Sequence, residues 1–155
     1  MFDKSGVRVV IVGATGAVGE RMLEVLQQRA FPIKHLYLLA SERSAGKHIA
    51  CVGRDLIVTD IADFDFSQAD IGLFSAGAEV SAEYAPRAAA AGCVVIDNTS
   101  QFRYDDEVPL LIPEVNPEAI KDYKTKGIIA NPNCSTIQML VALAPLHKHL
   151  SLIHI

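Results

Sequence analysis

Residues 7–19, VRVVIVGATGAVG, decide the fold of this chain. The β-branched run at 7–12 predicts a buried strand of a parallel sheet. The three glycines that follow, at a regular spacing, are Gly13, Gly16 and Gly19. Apolar residues at helical spacing then occupy 20–29, and a second apolar run occupies 36–40. A strand, a glycine-rich turn, a helix and a strand predict one βαβ unit.

The rest of the chain repeats this alternation of short apolar runs with helical segments. Further strands are predicted at 49–52, 56–58, 71–74, 93–96, 110–112 and 127–130. Helices are predicted at 78–91, at 117–123 with Asn116 as its cap, and at 135–150. Alternating strands and helices predict a doubly wound α/β fold, with a mostly parallel sheet and helices on both faces.

The glycine-rich turn predicts a dinucleotide-binding site. Gly13, Gly16 and Gly19 depart by one residue from the G-x-G-x-x-G spacing, but the physical roles are the same. Glycine permits a tight turn, close approach of the backbone to a pyrophosphate, and close helix–strand packing. The position between a predicted strand and a predicted helix supports this interpretation over a purely structural turn.

The loop after the second strand bears on the choice of cofactor. It offers Ser41, Glu42, Arg43 and Ser44, with Lys47 close behind. An acidic side chain at this place binds the ribose hydroxyl of NAD, whereas arginine accommodates the 2′-phosphate of NADP. Two hydroxyls and two cations favour NADP, whereas Glu42 argues against it unless its side chain points away. The alternative is a solvated polar loop.

Cys134 stands between Asn131-Pro132-Asn133 and a predicted helix. Unpaired N–H groups and the positive end of the dipole at a helix N-terminus favour the thiolate form of a cysteine. A thiolate there is a candidate nucleophile for acyl chemistry. A buried, inert cysteine is the alternative.

Composition excludes several classes of function. The chain has 155 residues, half of them hydrophobic, and a net charge of −4 that gives no basic footprint for nucleic acid. No apolar run is long enough to span a membrane, and no signal peptide is recognisable. Three widely spaced cysteines favour a reducing, cytoplasmic location over a disulfide framework or a metal site.

Five short motifs follow one another along the chain: GATGAVG at 13–19, ASERSAGK at 40–47, NTSQFRY at 98–104, PEVNP at 113–117 and NPNCST at 131–136. In this order they resemble aspartate-β-semialdehyde dehydrogenase, collinearly over nearly the whole chain. N-acetyl-γ-glutamyl-phosphate reductase has a related architecture. It typically carries glycine directly before the cysteine, so Asn133 argues against it.

The resemblance implies that NADPH reductively dephosphorylates L-aspartyl-4-phosphate to L-aspartate 4-semialdehyde, a step toward lysine, methionine, threonine and isoleucine. Cys134 matches the nucleophile that forms a thioester, Arg103 an arginine that holds the phosphoryl group, and Asn133 an asparagine lining the substrate site. The alternatives are that Arg103 is a surface residue and that Asn133 is a turn residue or a helix cap. Residues that match NADP contacts are Thr15, Gly16, Ala17, Val18, Arg43, Ser44 and the strand-end turn Ser75-Ala76-Gly77.

The same resemblance implies a Rossmann-like NADP-binding domain at 1–133. Residues 134–155 would hold the cysteine helix and the start of a substrate and dimerisation domain, whose first strand would begin at 151–155. The family's catalytic histidine, carboxylate-binding arginine and glutamine have no counterpart in this sequence. We therefore expect the isolated chain to be nearly inactive, with an exposed apolar patch on 135–150, and the complete protein to be a homodimer. A non-catalytic NADP-binding module and a relative of N-acetyl-γ-glutamyl-phosphate reductase are the alternatives.

Overall fold

A computed structural model describes residues 2–51 and 53–150, and within these ranges seven strands form one sheet. The strands are β1 (Phe2–Val12), β2 (Ile33–Ala40), β3 (His48–Cys51), β4 (Arg54–Asp60), β5 (Ile71–Phe74), β6 (Val94–Asp97) and β7 (Ile128–Ala130). The α-helices are α1 (Ala17–Gln28), α2 (Ala78–Ala90) and α3 (Cys134–Leu150). Short 3₁₀ helices lie at Glu42–Ser44, Ile61–Asp63, Phe66–Gln68 and Pro117–Thr125.

The strand order is β3-β4-β2-β1-β5-β6-β7, and only the β3–β4 pair is antiparallel. From β1 the chain builds outward through β2 to β4. It then returns to the other side of β1 and builds outward again through β5, β6 and β7. This reversal confirms the predicted doubly wound fold. It also makes the carboxyl ends of β1, β2 and β5 meet at one crevice, where such folds bind ligands.

Two apolar layers lie on opposite faces of the sheet. In β1, Val9 and Ile11 point to the layer that α1 covers, while Val10 and Val12 point to the layer that α2 covers. None of these four side chains is more than 2% exposed. Burial on both faces explains why β1 reads as a continuous apolar run rather than an alternating pattern.

The segment 110–112 is not a strand. It forms one isolated parallel bridge, between Leu110 and Ala130. Pro109 and Pro113 flank it, and a proline cannot donate a ladder hydrogen bond, so the pairing stops there.

The helix predicted at 117–123 is the 3₁₀ helix Pro117–Thr125, and the Asn116 side chain does not cap it. Instead, Asn116 Oδ1 accepts a hydrogen bond from the N–H of Ile112, and Asn116 Nδ2 donates to the carbonyl of Leu110. The side chain is used by the preceding loop and is therefore unavailable to the helix.

Helix α3 exposes much of its apolar surface. Its exposed large apolar side chains are Met139, Val141, Leu143, Leu146 and Leu150. Val52 and the predicted strand start at 151–155 lie outside the described residues. No helix within the described ranges is both long and apolar enough to cross a membrane.

Candidate functional site

The glycine-rich turn is held tightly between neighbouring strands. The N–H groups of Gly13 and Ala14 both donate to the carbonyl of Leu39, at 2.9 and 3.1 Å. Gly13 has a φ of +89°, and a Cβ there would lie 3.1 Å from the backbone of Ser75 and Ala76. Only glycine satisfies both conditions, since a positive φ and a close approach each exclude a side chain.

Gly19 and Gly16 have different roles in the same turn. A Cβ on Gly19 would overlap the carbonyl oxygen of Gly13 and lie 2.8 Å from the Cα of Ala14. Gly19 therefore allows α1 to pack directly on the turn. A Cβ on Gly16 would meet only that carbonyl, at 3.4 Å, because Gly16 is exposed.

A cavity of about 290 Å³ opens at the carboxyl ends of β1, β2 and β5. Of the residues predicted to contact a cofactor, those that line it are Gly13, Thr15, Gly16, Ser41, Arg43, Ser44, Ser75 and Ala76. Glu42, the acidic residue of the loop after β2, is not among the lining residues. Three segments that are far apart in sequence thus meet around one space.

The remaining predicted cofactor residues lie outside this lining. Ala17 is the exposed first residue of α1, and Gly77, with a φ of +101°, directly precedes α2. Val18 is 46% exposed and lines a different groove, with Met22 and Leu73. No side chain caps the N-terminus of α1, because Gly16 occupies the cap position.

The apolar wall of the cavity was not predicted from the sequence. It consists of Val12, Ala40, Ile61 and Val80. Val12 and Ala40 end strands that the sequence does indicate. Ile61 and Val80 reach the cavity through the crossover and through α2, and no local signal in the sequence shows this.

Arg103 lies where β6 and β7 end. Its Nε donates to the carbonyl of Asn131 at 3.0 Å, and its Nη2 donates to the carbonyl of Asn98 at 3.1 Å. The side chains of Asn98 and Asn131 are also joined, Nδ2 of Asn131 donating to Oδ1 of Asn98 at 2.6 Å. Arg103 is therefore a half-buried, oriented cation rather than a freely solvated surface residue.

Asp97 is a buried carboxylate that was not predicted to belong to the site. It is 0% exposed. Its oxygens accept from Ser81 Oγ at 2.8 Å, from Thr99 Oγ1 at 2.8 Å and from the N–H of Thr99 at 3.1 Å. The polar run Asp97–Ser100 after an apolar strand was the available signal. The network fastens the loop that begins at Asn98 to α2.

Cys134 is exposed and is the first residue of α3. Asn133 caps this helix, since its Oδ1 accepts from the N–H of Ser135 at 3.0 Å. Cys51 and Cys93 are buried, and burial raises the pKa of both thiols, that of Cys93 to about 12. Among the three cysteines, Cys134 alone combines exposure with a helix N-terminus.

The described histidines lie away from this thiol. His147 and His149 are in the last turn of α3, and at about 1.5 Å per residue His147 is some 20 Å from Cys134. His35 belongs to β2, and His48, in β3, pairs with Asp55 at 2.6 Å. Over residues 2–51 and 53–150, no three His, Cys, Asp or Glu side chains are grouped to hold a metal ion.

The βαβ unit, its glycine turn and the crevice at the strand-order reversal define a class of protein, the Rossmann-like dinucleotide-binding domains. Comparison with known proteins narrows this class. The family model described as the NAD binding domain of semialdehyde dehydrogenase matches residues 8–123. The chain belongs to the semialdehyde dehydrogenase family that this model describes.

Individual relatives agree with this assignment. The aspartate-semialdehyde dehydrogenase of Shewanella violacea is 62% identical over 139 residues, which are 90% of this chain and 41% of that protein. The structure of aspartate semialdehyde dehydrogenase II from Vibrio cholerae, complexed with ASA, is 61% identical with a TM-score of 0.92, covering 94% of this chain and 47% of that one.

A more distant relative is the Candida albicans enzyme, whose structure was solved with NADP. It is 28% identical with a TM-score of 0.74, covering 93% of this chain and 47% of that one. The chain thus spans less than half the length of each of these relatives.

Proposed function

We propose that this chain is the NADP-binding and nucleophile-bearing part of an enzyme that converts L-aspartyl-4-phosphate to L-aspartate 4-semialdehyde. One observation carries the proposal. One chain of this family combines a glycine-lined cavity, to which Arg43 contributes, with an exposed Cys134 at the N-terminus of a helix. The relatives' names and the ASA and NADP of two solved structures support the substrate and the cofactor.

The cavity suits a dinucleotide in shape and in chemistry. Gly16 leaves room for a pyrophosphate to approach the backbone, and the uncapped first turn of α1 supplies N–H groups for its oxygens. Ser75 and Ala76 form the opposite wall. When bound, NADPH supplies the hydride that reduces the acyl group to the aldehyde.

Arg43 is the residue that we expect to select NADP over NAD. It lines the cavity together with Ser41 and Ser44, while the neighbouring Glu42 does not. A guanidinium binds a 2′-phosphate bidentately, and the acidic partner that a ribose hydroxyl of NAD needs is missing from the lining.

The test is a fluorescence titration of the chain with NADPH and with NADH. Arg43→Ala should lower the affinity for NADPH about tenfold or more, because it removes one charge-assisted contact to the phosphate. The affinity for NADH should change little. Glu42→Ala is the matched control and should keep the wild-type preference. Equal affinities of the wild-type chain for the two cofactors would overturn the NADP assignment.

Cys134 and Arg103 are assigned to the acyl-transfer half of the reaction. The Cys134 sulfur attacks the acyl carbon, the bond from that carbon to the phosphate oxygen breaks, and the phosphate leaves with its electron pair. Arg103 binds the phosphoryl group through the N–H groups that the backbone does not occupy. Asn133 caps the helix that carries the thiol, which holds the sulfur at the helix N-terminus.

Acyl transfer is testable on the chain itself. Incubation with L-aspartyl-4-phosphate should add one acyl group at Cys134, detected by mass spectrometry, and Cys134→Ser should add none. A chain that binds NADPH but forms no adduct would favour a non-catalytic NADP-binding module. Because no described histidine lies near the thiol, we expect steady turnover to be nearly absent.

The wider setting is proposed on the same basis. We infer a cytoplasmic role in the biosynthesis of lysine, methionine, threonine and isoleucine, and a homodimer in the complete protein. The domain division, with NADP binding at 1–133 and the cysteine helix opening a second domain from 134, is part of the proposal. Phosphate-dependent reduction of NADP by aspartate semialdehyde, measured with the full gene product, tests the activity.

A further inference from the structure

The hydrogen bonds around Arg103 form a closed ring. Two of them run from the guanidinium to the backbone carbonyls of Asn98 and Asn131, and the third joins the side chains of these two asparagines. We propose that the Asn98–Asn131 side-chain pair positions Arg103, so that one edge of the guanidinium faces a phosphoryl oxyanion. The inference rests on the proposed function of Arg103.

The atoms that make these hydrogen bonds show which edge of the guanidinium remains available to a ligand. A guanidinium is a planar fork with five N–H donors, and Nε and Nη2 lie on one edge of it. Both atoms donate to protein carbonyls. Nη1 makes no hydrogen bond to any residue of the described ranges. The second edge, with Nη1 and the other N–H of Nη2, presents two parallel donors, which match two oxygens of a phosphate.

The two carbonyls need a reason to remain side by side. Asn98 and Asn131 each continue the backbone pairing one residue past their strand, donating to the carbonyls of Phe74 and Asp97 at 2.8 Å. Beyond this point the chain leaves the sheet in two directions, toward the loop at 99–104 and toward α3. The 2.6 Å hydrogen bond between the two side-chain amides joins the segments where they diverge, and it thereby sets the spacing of the carbonyls.

The same tie relates the cation to the nucleophile. Asn131 lies three residues before Cys134, in the segment that leads into α3. If Arg103 turns relative to Asn131, its guanidinium therefore also turns relative to the segment that carries the Cys134 thiol. Asn98 and Asn131 act through Arg103 and are positioning residues.

The test uses the 155-residue chain, inorganic phosphate as the probe, and the ¹⁵Nε–H signal of Arg103 in NMR spectra. In the wild-type chain this signal should exchange slowly with water and shift on addition of phosphate. Asn98→Ala and Asn131→Ala should each weaken phosphate binding about tenfold and speed the exchange of Nε–H, because the guanidinium loses its fixed orientation.

Three further variants separate positioning from general stability. Asn98→Asp keeps an acceptor for Asn131 Nδ2, so the slow exchange of Nε–H should be retained even though the added charge weakens phosphate binding. The double variant N98A/N131A should bind phosphate no worse than either single variant, since one bond is lost in all three. Gln101→Ala, which changes an exposed side chain in the same loop, should behave as the wild type.

The outcomes distinguish the two proposals. A wild-type Arg103 signal that does not respond to phosphate would overturn the phosphoryl-binding role itself, and the positioning role with it. A normal wild-type response combined with unchanged affinity and exchange in both alanine variants would overturn the positioning role alone. Additive losses in N98A/N131A would do the same. If one alanine variant does not fold, the other and Asn98→Asp give the same comparison.

Discussion

At the scale of the residue, the three cysteines are expected to differ in reactivity. Native chain treated with iodoacetamide at pH 8 should be modified at Cys134, because this thiol is exposed. Cys51 and Cys93 should react only after denaturation, since burial shields them and raises the pKa of each thiol. Peptide mapping identifies the modified residues. Native modification of Cys93 at the rate of Cys134 would contradict the described packing.

The buried Asp97 gives a second prediction, which has a matched control within the chain. Ser81 Oγ and Ser67 Oγ each donate to an aspartate at 2.8 Å, to buried Asp97 and to exposed Asp65 respectively. Ser81→Ala leaves a buried carboxylate with one donor fewer and should lower the free energy of unfolding by about 1–3 kcal/mol. Ser67→Ala should change it by less than about 0.5 kcal/mol.

Urea titrations of both variants measure this difference. Equal effects of the two substitutions would mean that Asp97 does not depend on Ser81 for its burial.

At the scale of the element, the contact of α1 with the turn separates packing from binding. Gly19→Ala should destabilise the fold by about 2–3 kcal/mol, because its Cβ would overlap the turn backbone. Gly16→Ala should lower the free energy of unfolding by no more than about 1 kcal/mol, because its Cβ meets only one atom, at ordinary contact distance. Because Gly16 lines the cavity, we expect the added methyl group to lower NADPH affinity about tenfold or more.

Urea unfolding and NADPH titration, performed on both glycine variants, check this prediction. A Gly16→Ala chain that unfolds as easily as Gly19→Ala, or one that keeps full NADPH affinity, would contradict the assigned roles.

The elements also show how far the sequence can be interpreted. The run β1, turn, α1 and β2 was predictable because glycines and buried β-branched residues constrain the backbone locally. The prediction of a strand at 110–112 was wrong, because the flanking prolines rather than its apolar content decide the pairing. The side chain of Asn116 was assigned to a helix end, but it serves the preceding loop, and no local pattern distinguishes these uses.

The candidate site was predictable to the extent that its residues end strands. Gly13, Ser41 and Ser75 follow three strands whose carboxyl ends must meet, so their proximity follows from the fold class. Ile61 and Val80 depend on how the crossover and α2 pack. The ring that holds Arg103 depends on two asparagines that approach only when β6 and β7 pair.

At the scale of the whole molecule, stability should fall at both ends of the pH range. Hydrogen bonds from Arg8 hold the pKa of Asp70 below its usual value, and hydrogen bonds from Lys126 do the same for Asp105. Carboxylates with a lowered pKa in the folded state stabilise it above about pH 4. This contribution is lost as the pH falls through their folded-state pKa values.

The loss of stability at alkaline pH should depend on Cys93. Burial raises the pKa of its thiol from 9.0 to about 12. Because this pKa is raised in the folded state, the buried neutral thiol makes its full contribution to the free energy of unfolding below pH 9. The contribution is lost between pH 9 and 12. Between pH 8 and 10.5 this costs the wild-type chain on the order of 2 kcal/mol.

Cys93→Ala should lack this component. Urea unfolding at a series of pH values should therefore give parallel curves for the two chains between pH 5 and 8, and converging curves above pH 9. Curves that stay parallel up to pH 10.5 would show that the Cys93 thiol does not govern the alkaline decline.

The carboxyl end of β1 is bonded to both halves of the sheet, Gly13 and Ala14 donating to Leu39 on one side and Ser75 donating to Val12 on the other. A molecule held in the crevice therefore contacts both halves at once, and opening either half releases it. Ligand binding is linked in this way to the cooperative unfolding of the whole sheet. Amide hydrogen exchange should slow in β2 and in β5 together, so that occupancy is recorded along the length of both strands and not only at the ends that meet at the crevice.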